Sequence, residues 1–225
     1  MTNPNNLSGT IPFDDETWQA LPNYLGNLPE PVCLHVWGDE NAGQAERETA
    51  NLVQILNNRF PNITYRLLPR RINYPYYPVI GVFGGTVEES IDYGVRIIGL
   101  PAGYQMTTLV AGIQAVAFRG QTLEPMTRIH LHKLANSEKS FDVELLTSRD
   151  DMEGSVAAKI IFGAAVANRN IMAYVIITDN FPEAALRYSA EFLPHVIINQ
   201  RIHFDGVLDE EKLLELLSRA SQSTT

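Results

Sequence analysis

The feature that most constrains this chain is an order of elements that occurs twice. Val32–Trp37 reads as a strand and Gln44–Asn57 as a helix, with Ala45, Leu52, Val53, Ile55 and Leu56 supplying most of its apolar side. Ile63–Leu68, Val79–Phe83 and Val95–Leu100 read as strands, rich in β-branched and apolar residues. Gly84-Gly85 reads as a turn between two of them. A helix over Thr107–Phe118 places Leu109, Ile113, Val116 and Ala117 at helical spacing and stops at Gly120. About 110 residues on, from the loop at Asn41 to the loop at Asp151, the order recurs. Phe141–Thr147 is a strand, Ser155–Asn168 a helix and Asn170–Thr178 a strand. A short helix over Pro182–Ala190, strands over Pro194–Ile198 and Ile202–Phe204, and a Leu-rich helix capped by Asp209 complete it. A helix between two strands makes that pair parallel. The chain is therefore α/β, built as two β-α-β, β-β-α units in tandem.

The units run over 13–120 and 141–220, joined by a connecting helix and linker over 121–140. The linker helix is expected at Met126–Leu134, with Ile129 and Leu134 inward. Residues 1–12 are expected to be a disordered tail, and 221–225 a polar one. Asp14, Asp15 and Glu16 offer an N-terminal cap to a helix carrying Trp18, Leu21, Tyr24 and Leu25, although Pro22 falls inside it.

A chain of 225 residues buries enough surface to fold without disulfide or metal. Its net charge of -9 argues against nucleic acid and against an anionic membrane as partner. One cysteine, Cys33, excludes an internal disulfide, a CxxC pair and a cysteine-rich zinc site. No apolar run reaches the ~18 residues of a membrane span, and the polar, then acidic N-terminus is unlike a signal peptide. A cytoplasmic location is expected.

Gly94-Val95-Arg96, Gly99-Leu100-Pro101-Ala102-Gly103-Tyr104 and the helix to Phe118 resemble the two-thioredoxin-fold protein disulfide oxidoreductases, also called glutaredoxin-like proteins. They also resemble the N-terminal domain of the alkyl hydroperoxide reductase flavoprotein subunit. Leu193-Pro194-His195-Val196-Ile197-Ile198-Asn199 is similar to the family's cis-proline strand, and the resemblance covers about Thr17 to Ala220. It implies two tandem thioredoxin-like folds, each a central mixed sheet of about four strands with flanking helices. It also implies cis-prolines at Pro78 and Pro194, and a CxxC at the start of the first long helix of one or both halves. In register these motifs fall on Asn41-Ala42-Gly43-Gln44 and on Asp151-Met152-Glu153-Gly154, and neither contains cysteine. Asn41, Gln44, Asp151 and Gly154 are thus vestigial active-site positions. A helix N-terminus lowers a thiol's pKa and supports attack on a disulfide, whereas a carboxylate or an amide exchanges nothing. Asp150 with Glu153 instead matches a capping box.

Cys33 lies inside a strand, where a free cysteine is commonly a small core residue, so a reactive thiol is not expected. His130 and His132 point to different faces of a helix and make no metal pair. Gly81–Gly85 lacks nucleotide-loop spacing and reads as a strand-end turn. No metal and no cofactor are expected. Arg70, Arg71, Tyr74, Tyr76 and Tyr77 form an aromatic-basic cluster expected beside the Asn41 loop, and His195 is placed at the second groove. These residue types anchor interfaces, although tyrosines there also serve to pack the loop on the sheet. The favoured reading is a redox-inactive protein- or peptide-binding scaffold. The alternatives are an oxidoreductase or peroxide-system component using Cys33 or a partner's thiols, and a small-ligand carrier between the halves. A homodimer is compatible with the sequence.

Overall fold

The computed structural model describes residues 15–39, 41–136 and 139–222. The expected tail over 1–12, the cap at Asp14 and the residues 137, 138 and 223–225 lie outside them. The apolar run Val32–Trp37 forms β1, buried along its whole length. The α2 helix (Gln44–Arg59) returns the chain to β2 (Ile63–Leu68), parallel to β1. Antiparallel β3 (Val79–Gly85) and β4 (Ser90–Ile98) follow, then α3 (Gln105–Ala117). The α4 helix (Pro125–Ala135) leads to β5 (Phe141–Thr147), α5 (Met152–Ala167) and β6 (Ile171–Ile177), with β5 parallel to β6. The half closes with α6 (Pro182–Tyr188), β7 (His195–Ile198), β8 (Ile202–Asp205) and α7 (Glu210–Gln222).

The sheet order is β2-β1-β3-β4-β6-β5-β7-β8. Each half thus uses the same order of four strands, and the repeat is structural. The halves do not form separate sheets. Val95–Ile98 of β4 pairs in parallel with Ala173–Ile176 of β6, joining both into one eight-stranded sheet. Across this join, α3 packs on α5 with Gly112 against the Phe162 ring.

Alternation along each strand sends Leu34, Val82, Val95, Ala173, Val143 and Val196 to one face, under α2, α3, α5 and α7. With α1 (Asp15–Leu25) and α4 also packed there, six of the seven helices among the described residues share that face. The other face carries Cys33, Trp37, Phe83, Ile98, Leu146 and Ile197, and is covered by the 69–78 loop and α6.

Several expectations are corrected. Gly84 and Gly85 end β3, and the hairpin turns at Thr86, whose N–H bonds Glu89 O at 2.9 Å. β4 begins at Ser90 because its exposed, polar first residues continue the ladder, with a register shift opposite Val82/Phe83. Ile129 is 46% exposed, and α4 buries Thr127 and Leu131 instead. α1 runs through Pro22. Ser221 and Gln222, assigned to the tail, are the last residues of α7. No helix among the described residues is long and apolar enough to cross a membrane.

Candidate functional site

β1 delivers the chain to the first vestigial position. Gly43 caps α2 in extended conformation and has no side chain with which to bond the helix's free N–H groups. Glu46, in the first turn, turns back instead. Its Oε2 accepts the Asp39 N–H at 2.5 Å and the Arg70 Nε–H at 3.0 Å, and its Oε1 accepts a second Arg70 nitrogen, a bidentate pair. Glu46 is buried while Arg70 is half-exposed. The hydrogen bond from Glu46 raises the Arg70 pKa further. A side chain at Gly38 would come within 2.9 Å of the Glu46 carboxylate. Asn41 is exposed with its N–H on Asp39 Oδ1 at 2.9 Å, and exposed Gln44 bonds Glu48 at 2.6 Å. Beside them a groove of about 640 Å³ opens between Ala50, Leu67, Pro69, Asp39 and Arg70.

At the second position the cap is Asp151, not Asp150, because α5 begins at Met152. Its Oδ1 accepts the Gly154 N–H at 2.8 Å and its Oδ2 the Thr147 hydroxyl at 3.0 Å, so no Asp150–Glu153 box forms. A Cβ on Gly154 would overlap Thr147 Oγ1. The loop is also held from the first half. Gln105 Nε2 lies 2.7 Å from Ser148 O, 3.0 Å from Asp151 O and 3.1 Å from Thr147 Oγ1, and its Oε1 accepts the Thr108 hydroxyl at 2.7 Å. Tyr104 N–H bonds Arg149 O at 3.0 Å, and Leu100 N–H bonds Asn180 Oδ1 at 3.1 Å. Gly103, at φ +59°, lies so close to Arg149 that a Cβ would stand 2.8 Å from its carbonyl. The Gly-Leu-Pro-Ala-Gly turn thus clamps the second half's loop.

The Tyr77–Pro78 and Leu193–Pro194 peptide bonds are cis, and both prolines are buried. Cys33 is fully buried, and burial pushes its thiol pKa up against a weaker opposing hydrogen bond with Thr64. The tyrosines do not line the groove beside Asn41, although Arg70, which does, lies over the Tyr77 ring at 5.2 Å. Tyr74 OH accepts from Arg96 Nε at 2.9 Å and its ring lies 5.5 Å from Trp37; Tyr77 sits edge-on to Tyr74 at 6.4 Å. Tyr76 stacks on Phe181 of the second half at 4.8 Å. Arg71 lies over the Trp37 ring at 5.0 Å. Of the expected cluster only Arg70 lines the groove beside Asn41. His195 is turned to β8 and is buried.

The sequence reading missed Glu46, Gln105 and Thr147. It also missed a row of residues in register across the face with fewest helices: Arg66, His35, Gly81, Arg96, Tyr174, Glu144, Ile197 and His203. Buried Arg96 pairs bidentately with Asp92 and lies over Trp37 and Phe83. Burial raises the Glu144 carboxyl, and pushes Tyr174 up to about 12. The signal was present only as polar residues at alternate strand positions, which look solvated until the pairing is known. Among the described residues no three His, Cys, Asp or Glu side chains are grouped to hold a metal ion.

No protein-family model matches the chain, and no curated protein matches it in sequence. Solved structures do. The N-terminal domain of alkylhydroperoxide reductase AhpF from Enterococcus faecalis superposes with TM-score 0.81 at 17% identity, covering 91% of this chain and 99% of that one. A protein disulfide oxidoreductase from Aeropyrum pernix gives 0.78 at 19% identity, covering 93% and 94%. Sso1120 from Sulfolobus solfataricus gives 0.58 at 13% identity, covering 84% and 98%. The fold is that of the tandem thioredoxin-like proteins, here without either CxxC.

Proposed function

We propose that the chain is a redox-inactive tandem thioredoxin-like protein that binds a protein or peptide partner, in the cytoplasm, instead of exchanging thiols with it. The observation carrying this reading is Glu46. A buried carboxylate, paired with Arg70, stands in the first turn of the helix two residues past Gln44, where its negative charge would disfavour a thiolate at the vestigial position. At the second position the Asp151 carboxylate is turned back as a cap and Gly154 has no room for a side chain. The single thiol, on Cys33, is buried and driven toward its protonated form, which is neither nucleophile nor leaving group.

A partner would still find a surface. The groove of about 640 Å³ at the first position combines an apolar wall, Ala50 and Leu67 with Pro69, and a charged end at Asp39 and Arg70. It borders the edge strand β2, so an extended segment could lie along it.

Two measurements test the reading. Disulfide reduction is expected to be at background for both wild type and Cys33→Ala. Activity that Cys33→Ala removes would establish the alternative, an oxidoreductase or peroxide-system component. In crosslinking capture from native extract, a partner held by wild type is expected to be lost with Leu67→Asp; equal retention would remove the groove as its site.

A further inference from the structure

We infer that Asp205, His195 and His203 form a proton-sharing latch that fastens the edge strand β8 to β7 and lets go when the two histidines hold one proton too many. His195 directly follows the cis-Pro194, but no step of the proposed function uses the three side chains.

The three side chains are brought together by the hairpin register. His195 is opposite Asp205 and Ile197 is opposite His203, so all project from one face of β7 and β8. The three-residue link between these strands, Asn199-Gln200-Arg201, takes positive φ at its first two residues, and the Arg201 N–H bonds Ile198 O at 3.1 Å. His195 is 4% exposed, yet both its ring nitrogens are engaged. Nδ1 is 2.6 Å from Asp205 Oδ1, and Nε2 is 2.9 Å from His203 Nδ1. Asp205 and His203 are exposed, so the chain of hydrogen bonds runs from solvent, through a buried ring, back to solvent.

Proton counting gives the behaviour. An ionised carboxylate only accepts, so His195 Nδ1 carries a hydrogen. With both rings neutral, His195 Nε2 is then bare and must accept from His203 Nδ1–H. One added proton leaves every bond intact: His195 becomes an imidazolium between the carboxylate and His203, whose own hydrogen moves to Nε2. A second added proton puts N–H against N–H between two cations 2.9 Å apart. The hydrogen bond is then replaced by repulsion, and the exposed outer ring turns away into solvent, which removes the side-chain link between β8 and β7. That strand has four residues and no neighbour on its far side. Glu144 on β5 stands in register with Ile197, with Asp142 two residues before it on the same face; Arg187 and Tyr188 of α6 act on Glu144, and exposed Arg201 lies two residues before His203. The Tyr188 ring lies 6.3 Å from His203. Burial raises the Glu144 carboxyl, so acidification also weakens the negative charge carried by the inner strand. Leu146, the register neighbour of His195 on β5, adds no charge.

The test is a titration of the full-length 15N-labelled chain, following ring nitrogens and backbone amides together. The pair is expected to bind its second proton at least tenfold more weakly than its first, with β8 amides exchanging at least tenfold faster below the second step while β5 and β6 stay protected. In His203→Gln, His195 is expected to titrate in one step and the β8 acceleration to vanish. Equal midpoints for the two rings, each unmoved by replacing the other, would overturn the latch. So would β8 exchange that only follows global unfolding. Should the variant fail to fold, the wild-type titration and exchange data decide alone.

Discussion

The side-chain amide of Gln105, on the last helix of the first half, donates to the backbone carbonyl of Asp151, cap of the first helix of the second, at 3.0 Å. One buried residue thus ties the Gly-Leu-Pro-Ala-Gly turn to the loop where the second dithiol would stand. Gln105→Leu keeps the volume and removes every polar contact, leaving the carbonyls of Ser148 and Asp151 short of a donor. It is expected to destabilise by about 2–3 kcal/mol, lowering Tm by about 4–12 °C. Thermal unfolding measures this, and exchange of the 148–154 amides should rise before the rest of α5.

At the first position, Arg70→Ala leaves the Glu46 carboxylate buried with only the Asp39 N–H for a partner. The expected loss is about 1–2 kcal/mol, discounted because Arg70 is half in water. The double variant Glu46→Gln with Arg70→Ala should recover part of it, since no buried charge is then orphaned. Denaturant unfolding of the three variants in a cycle checks the coupling.

Rebuilding the second dithiol should fail for a steric reason. A Cβ at 154 meets the Thr147 hydroxyl, so Gly154→Cys is expected to cost about 2 kcal/mol or more from overpacking. Asp151→Cys with Gly154→Cys adds the loss of the cap, roughly another 1 kcal/mol. Unfolding curves should show both losses, and adding Thr147→Ala should relieve part of the first, since the Cβ it keeps would still lie 2.8 Å away.

Ionisation of Glu144 opposes folding. Burial raises its folded-state pKa above the unfolded value. The protonated form is therefore favoured in the fold. That contribution is present below the unfolded pKa and is lost as pH rises through the folded one. Glu144→Gln is expected to stabilise the protein by about 1 kcal/mol at pH 7, and to make little difference near pH 4. Tm measured across that window gives the sign.

Cys33 should be silent in the native state. Its burial and raised pKa predict that a disulfide reagent modifies it at least a hundredfold more slowly than in the denatured chain. Rates with and without denaturant settle this, and Cys33→Ala should cost about 1–2 kcal/mol as a small core truncation.

Most of the fold was legible because periodicity reports burial strand by strand and helix by helix. Val32–Trp37, Ile63–Leu68 and Phe141–Thr147 have the limits their apolar runs suggest. Ile129 was misplaced because α4 is apolar on more than one side, and only its packing on α5 and α7 selects Leu131. The union of the two sheets was invisible for a related reason. A buried strand looks the same whether its neighbour belongs to its own half or to the other, so nothing in Val95–Ile98 names Ala173–Ile176.

The sequence by itself determined the repeated order of elements, the Asp209 cap of the last helix, and the loss of both dithiols, since a chain with one cysteine cannot contain them. Those properties are local or compositional. Tertiary structure alone decided which distant residues meet. Glu46 meets Arg70 across 24 residues, Gln105 reaches Asp151 across 46, and His195 meets Asp205 and His203 through a hairpin register. Each depends on directed hydrogen bonds between segments whose separation is set by the packing of the sheet, and a one-residue slip in a strand would turn every such side chain to the opposite face.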